Sequence, residues 1–92
     1  MNISKILADI GFDEFISFDL ETTGLDSNNN EIIEIAAVKF KGGEYHSKFS
    51  TLVKPKNEIP KSITKITNIT NSMVSNAPLI EQVLDDFINF VN

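Results

Sequence analysis

Two apolar-rich runs, residues 31–40 and 45–53, flank the tetrapeptide Lys41-Gly42-Gly43-Glu44. Of all the features in the chain, this one leaves the fewest options for folding. Glycine reaches positive φ at no steric cost, and two glycines between strand-like runs favour the tight turn whose twist suits a β-hairpin. The runs therefore read as neighbouring antiparallel strands, the second of them closed by Pro55. Upstream, Glu14 to Leu20 reads as a further, mostly buried strand. Thr22 to Asn30 reads as a loop ending in the turn-rich run Asp26-Ser27-Asn28-Asn29-Asn30.

The upstream strand ends in an acidic pair. Side chains alternate faces along a strand, so Asp19 and Glu21 project from the same side, about 6.5–7 Å apart along the backbone. Carboxylates held that close repel each other unless a cation sits beside them. Oxygen-only donors of this kind suit Mg²⁺ or Mn²⁺ rather than Zn²⁺. Past the hairpin, Pro60 to Ile66 reads as a short helix with proline in its first turn, and Asn68 to Ala77 as a polar loop. Pro78 then opens the clearest helix, in which Leu79, Ile80, Val83, Leu84, Phe87, Ile88 and Val91 form one apolar stripe. Asp85 and Asp86 would face solvent. At the other end, Ile3, Ile6, Leu7 and Ile10 recur at helical spacing and Gly11 would end such a helix, so residues 1–13 read as a leader.

Composition narrows the class. Ninety-two residues make one small domain. The absence of cysteine removes disulfide staples and thiolate metal sites. No apolar run approaches the ~18–20 residues of a membrane span. Lys5 and Asp9 interrupt the leader in a way that a secretory signal does not tolerate, and a cytoplasmic protein is expected. The net charge of −5, with lysine supplying every basic residue, argues against a non-specific basic DNA binder. Lys54, Lys56, Lys61 and Lys65 cluster in sequence but read as a solvated loop rather than a phosphate-binding patch. His46, the single histidine, reads as an ordinary surface residue.

The octapeptide Phe18-Asp19-Leu20-Glu21-Thr22-Thr23-Gly24-Leu25 closely resembles the first motif of the DEDD (DnaQ-like) 3′→5′ exonucleases. The resemblance continues through Glu31-Ile32-Ile33-Glu34-Ile35-Ala36-Ala37-Val38, similar to that family's second strand. It extends to Ile66-Thr67-Asn68-Ile69-Thr70, similar to a segment usually ending in Gly-Ile-Thr, and covers about Glu14 to Asn92. It implies an α/β architecture, the N-terminal half of a ribonuclease H-like fold, with a three-stranded antiparallel sheet followed by helices. Residues 14–92 would then be a partial exonuclease domain.

The same resemblance implies the chemistry. Family members hydrolyse nucleic acid from free 3′ ends with two divalent ions held by four carboxylates, and a late His or Tyr acts as general base. By position, Asp19 would bridge both Mg²⁺ or Mn²⁺ ions and Glu21 would ligate the one on the attacking side. Thr22 and Thr23 would grip the terminal nucleotide, Leu25 would wedge against its base, and Gly24 would permit a turn that a side chain blocks. Thr67 and Asn68 would border the substrate cleft, Asn68 standing where the family usually has glycine. Glu34 would be buried and play a supporting role, bonded to loop backbone or threonine hydroxyls. The expected substrate is single-stranded DNA, in proofreading or repair. The family's remaining acidic motifs follow the helix that closes this sequence, so the chain alone is expected to be inactive. The edge of its first strand would be open, which invites self-association. A reading from another class is a non-catalytic interaction module that keeps half the fold and uses that edge and the last helix as its interface.

Overall fold

The computed structural model describes residues 14–26 and 28–92; the leader helix expected within residues 1–13 lies outside them. Three antiparallel strands, β1 (Glu14–Thr22), β2 (Ile32–Lys41) and β3 (Glu44–Leu52), form one sheet in the order β1-β2-β3. Gly42 and Gly43 take φ of 62° and 74° between paired Lys41 and Glu44. Two successive positive φ values define the two-residue turn that the glycines foretold. Three helices follow: α1 (Lys61–Thr67), α2 (Asn71–Val74) and α3 (Ile80–Val91). None of the described helices is long and apolar enough to cross a membrane.

Both faces of the sheet are used. Ile35 pairs with Leu20 on one side and Thr51 on the other, so these residues share a face. On that face Ile35, Val53 and Val83 form a core joined by Ile32, Phe49, Ile80 and Phe87, which seats α3. The Phe87 ring lies 5.8 Å from Phe49 and 5.9 Å from Phe18, an aromatic contact across the sheet. The opposite face carries Asp19, Glu21, Glu34 and Leu52, since Glu21 pairs with Glu34 and Glu34 with Leu52. There Ile33, Ile59, Ile69 and Val74 form a second core with Leu52, Ile63 and Ala77, which seats α1 and α2.

Ile33 reaches that second core because the register slips between Glu21 and Thr22, where Glu21 faces Glu34 but Thr22 faces Ile32. The extra residue is a β-bulge, and it turns Ile33 and Glu34 to the same side. The end of β3 is held to the start of α3 by the Lys54 N–H, which donates to the Pro78 carbonyl at 2.9 Å.

Three expectations need correction. β1 is mostly exposed rather than mostly buried, because it forms an edge of the described sheet and its flank toward α3 is only partly covered. The expected loop from Asn68 to Ala77 contains α2, nucleated by the Thr70 hydroxyl, which accepts from the Met73 N–H at 3.2 Å. The stripe on α3 is only half used. Ile80, Val83 and Phe87 pack on the sheet, whereas Leu79, Leu84, Ile88 and Val91 stay exposed.

Candidate active site

Asp19 and Glu21 lie on the same face of β1, as alternation requires, with Asp19 exposed and Glu21 half-buried. Their neighbour on β2 is a third acid. Glu34 stands directly across from Glu21, which places the two Cβ atoms about 4.5–5.5 Å apart. Like charges so placed destabilise a bare sheet, and a cation beside them reverses the sign. Glu34 is half-buried rather than buried, and among the described residues no hydrogen bond joins it to the loop or its threonines. The expected bonding partner is thus replaced by an opposing carboxylate. Among the described residues no three acidic, histidine or cysteine side chains gather closely enough to hold an ion. The donor set is two carboxylates on a strand with a third beside them, and not a closed cage.

The loop after the acids is tied down by its own threonines. The Thr22 hydroxyl donates to the Gly24 carbonyl at 2.6 Å. Buried Thr23 donates its N–H to the Glu31 carbonyl and accepts the Glu31 N–H on its hydroxyl, both at 2.9 Å. These bonds close the loop at its base. Asp26 organises the tip, accepting the Asn28 N–H at 2.9 Å and the Asn29 amide at 2.6 Å. The Asn28 bond, followed by the Asn29 amide, holds the Asp26 carboxyl below its ordinary value. Gly24 needs no positive φ here. A Cβ on it would lie 2.6 Å from the Asn30 Oδ1, so any larger residue has to displace the Asn30 side chain. Leu25 stands fully exposed at the rim.

The segment Thr67–Thr70 belongs to the carboxylate face, because Ile69 packs on Ile33, the bulge residue next to Glu34. Asn68 adopts φ 62° as the C-cap of α1 and its N–H donates to the Thr64 carbonyl, a left-handed conformation that asparagine tolerates in place of glycine. The Thr67 hydroxyl donates to the Ile63 carbonyl and accepts the Ile69 N–H. His46 is exposed beside the hairpin turn, about 20 Å along the sheet from Glu34 at ~3.3 Å per residue. Lys54, Lys56, Lys61 and Lys65 are all exposed.

Sequence reasoning missed Glu31. Its carboxylate accepts the Lys56 N–H at 2.7 Å and the Asn57 N–H at 3.0 Å, with the Asn57 amide at 3.4 Å. Burial raises this carboxyl, but the hydrogen bonds and the Lys56 charge together outweigh it and hold the group below its ordinary value. Partners 25 residues away left no local signal. Also unforeseen is a cavity of about 740 Å³ at this end of the sheet, lined by residues that include Leu25, Asn30, Glu31, Lys56 and Leu79.

The exonuclease family model (RNase_T) matches residues 16–92. DNA polymerase III PolC-type from Clostridium perfringens is 53% identical over 79 residues, covering 86% of this chain and 6% of that protein. DNA polymerase III subunit epsilon from Aquifex aeolicus is 49% identical over 77 residues, covering 84% of this chain and 38% of that one. Among solved structures, exonuclease X in complex with 5′-overhanging duplex DNA superposes with a TM-score of 0.70 at 35% identity, over 78% of this chain and 42% of that one. The nuclease domain of 3′hExo, a DEDDh family member bound to rAMP, gives 0.73 at 27% identity, over 85% and 43%. The chain thus spans less than half the length of each of these relatives. The architecture it shares with them is the ribonuclease H-like one that the family resemblance implied. With the match running from the middle of β1 to the last residue, the chain belongs to the exonuclease family.

Proposed function

We propose that the polypeptide carrying this sequence is a metal-dependent 3′→5′ exonuclease that acts on single-stranded DNA ends in proofreading or repair. Residues 14–92 are the portion of its exonuclease domain that supplies Asp19 and Glu21. One observation carries the reading. In a chain of the exonuclease family, Asp19 and Glu21 share a sheet face with Glu34, next to the segment that bears Thr67 and Asn68. Oxygen donors on a rigid strand fit Mg²⁺ or Mn²⁺, and Asp19 and Glu21 would hold it, with Glu34 adding charge from the neighbouring strand. A divalent ion there supplies a water of lowered pKa and neutralises charge on the phosphodiester.

The chain's own residues receive the 3′ end. Leu25, exposed at the loop rim, offers an apolar wedge for the terminal base. The Thr22–Leu25 loop follows the acids directly, and the segment bearing left-handed Asn68 packs on the sheet face that carries them. The hydroxyls of Thr22, Thr23 and Thr67 already bond within the protein, so their contribution to substrate binding is a fixed backbone rather than free hydroxyls. The test is release of nucleotide from a 3′-labelled single strand with Mn²⁺, with Asp19→Ala as control. Activity that depends on Asp19 supports the reading. Equal release by the two proteins sinks it.

An exposed flank favours a second reading, a non-catalytic interaction module. Phe18 and Leu20 on β1 and Leu84, Ile88 and Val91 on α3 are all exposed large hydrophobics, beside a β1 edge that no described strand pairs. The 92-residue chain taken alone should therefore self-associate. Sedimentation that shows a monomer across the micromolar range removes that expectation.

A further inference from the structure

Under the exonuclease reading the loop carrying Leu25 and the segment carrying Asn68 are two walls of the substrate cleft, and a short piece of chain that belongs to neither joins them. Residues 56–59 are gripped at both ends by side chains from elsewhere in the fold. At one end the Glu31 carboxylate accepts the N–H groups of Lys56 and Asn57. At the other the Asn71 Oδ1 accepts the Ile59 N–H at 2.7 Å, and its Nδ2 donates to the Ile59 carbonyl at 3.3 Å. Ile59 is itself buried in the core beneath Ile33 and Ile69.

Each gripping residue is anchored to a wall. Glu31 is bonded through its backbone to Thr23, which closes the loop carrying Leu25. Asn71 opens α2 directly after the Thr67–Thr70 segment. A continuous path of hydrogen bonds and covalent chain therefore runs from Thr23 through Glu31, the 56–59 strap and Asn71 to the segment that bears Asn68. We propose that Glu31 and Asn71 are positioning residues that brace this strap and so set the separation between the Leu25 wall and the Asn68 wall. The inference rests on the exonuclease reading of the cleft. It assigns neither residue to metal or to the reacting phosphate.

A braced strap makes the two residues interdependent. Breaking either grip frees the strap, so the second break adds little. The Glu31 bonds are charge-assisted but exposed, the paired Asn71 bonds are neutral but partly buried, and losing either set corresponds to about a tenfold effect. The experiment uses the natural polypeptide that carries this sequence, a 3′-labelled single-stranded oligonucleotide and Mn²⁺. Glu31→Ala and Asn71→Ala are each expected to raise KM about tenfold with kcat within about twofold. The double variant should stay near tenfold instead of the hundredfold that independent effects give. Asn71→Asp keeps the acceptor for the Ile59 N–H and should restore most of the loss, which a general folding defect at Asn71 would not allow. Amide exchange at Lys56, Asn57 and Ile59 should accelerate about tenfold in both alanine variants and stay unchanged at the hairpin around Gly42.

Unchanged KM in either alanine variant overturns the proposal, as does a hundredfold double effect or unchanged exchange in the strap. An inactive wild-type protein, or an active Asp19→Ala protein, overturns the exonuclease reading instead. In that case the exchange rates still decide whether Glu31 and Asn71 brace the strap.

Discussion

Gly24→Ala, read together with Asn30→Ala, tests the close packing of the loop that follows the acids. Gly24 has an ordinary negative-φ backbone, so alanine brings no conformational strain of its own. The conflict is with one side chain: the added Cβ falls 2.6, 2.8 and 2.9 Å from the Oδ1, Cγ and Nδ2 of Asn30. Asn30 cannot retreat freely, because its Oδ1 accepts the Asp26 N–H at 2.9 Å. Displacing it forfeits that bond, worth about 1 kcal/mol, and forces a side chain off its rotamer at about 1 kcal/mol. The reduced freedom of the unfolded chain returns about 0.4–1 kcal/mol. Gly24→Ala should therefore destabilise by about 1 kcal/mol, and Asn30→Ala by a similar amount through the lost bond alone. In the double variant the clash is gone and the chain-entropy gain remains, leaving a net cost of about 0.3 kcal/mol. The coupling between the sites is then about −1.7 kcal/mol, within the range for residues in contact. Urea unfolding followed by circular dichroism gives all four stabilities, provided the slope stays constant. Strict additivity, or a stabilised Gly24→Ala single variant, refutes the reasoning.

Gly42→Ala meets no atom within 4 Å but sits at φ +62°, so it should cost about 1–2 kcal/mol from backbone strain alone; an unchanged urea midpoint contradicts the turn assignment. Ile33→Ala empties a fully buried position in the second core and should cost about 2–5 kcal/mol, a large fraction of the stability of a domain this size. A loss below about 1 kcal/mol shows that the bulge does not deliver Ile33 to that core. Glu31 and Asp26 both have lowered folded-state values. Their contribution is therefore complete above the ordinary carboxylate range and drains away as pH falls through the lowered values. Carboxyl NMR titration should find both below their ordinary values, and in Glu31→Gln the acid-induced loosening of the Lys56 and Asn57 amides should vanish; a pH profile identical to wild type contradicts it.

The legible parts of the fold were those written in local chemistry. Gly42-Gly43 marked a turn because few other residues accept its φ values, and Asp19 and Glu21 announced a shared face because strand alternation has a period of two. Pro78 announced the start of α3. What stayed hidden depends on partners distant in sequence. The four residues of α2 are too few to show a helical period, and its N3 residue is Met73 rather than the acid of a capping box. The exposure of β1 was illegible because Phe15, Ile16 and Phe18 look the same in sequence whether or not a neighbour covers them. Glu31 looked like the first residue of a strand, and only the folded chain shows Lys56 and Asn57 beneath its carboxylate. For the candidate site, the positions of the carboxylates were legible but the opposition of Glu34 to Glu21 was not, since register is a property of two strands.

The placement of the Asn68 segment has its own cause, the bulge at Ile33, whereas Glu34 would face Glu21 in a regular strand as well. Counting back from Ile35 by strict alternation puts Glu34 on the carboxylate face, Ile33 on the α3 face and Ile32 on the carboxylate face again. The extra residue breaks this count. Ile32 joins the α3-side core and Ile33 the opposite one, with Glu34 beside it. The acidic side chain of the pair faces Glu21, and the apolar one supplies the surface on which Ile59, Ile69 and Val74 settle. A regular strand would leave the second core without its central residue and would move Ile32 out of the first. A single inserted residue thus seats the segment carrying Asn68 on the sheet face that bears Asp19 and Glu21, and the sheet keeps both cores while doing so. In such an arrangement the acids of β1 and the segment carrying Asn68 cannot drift independently, because both are referenced to two adjacent positions of β2.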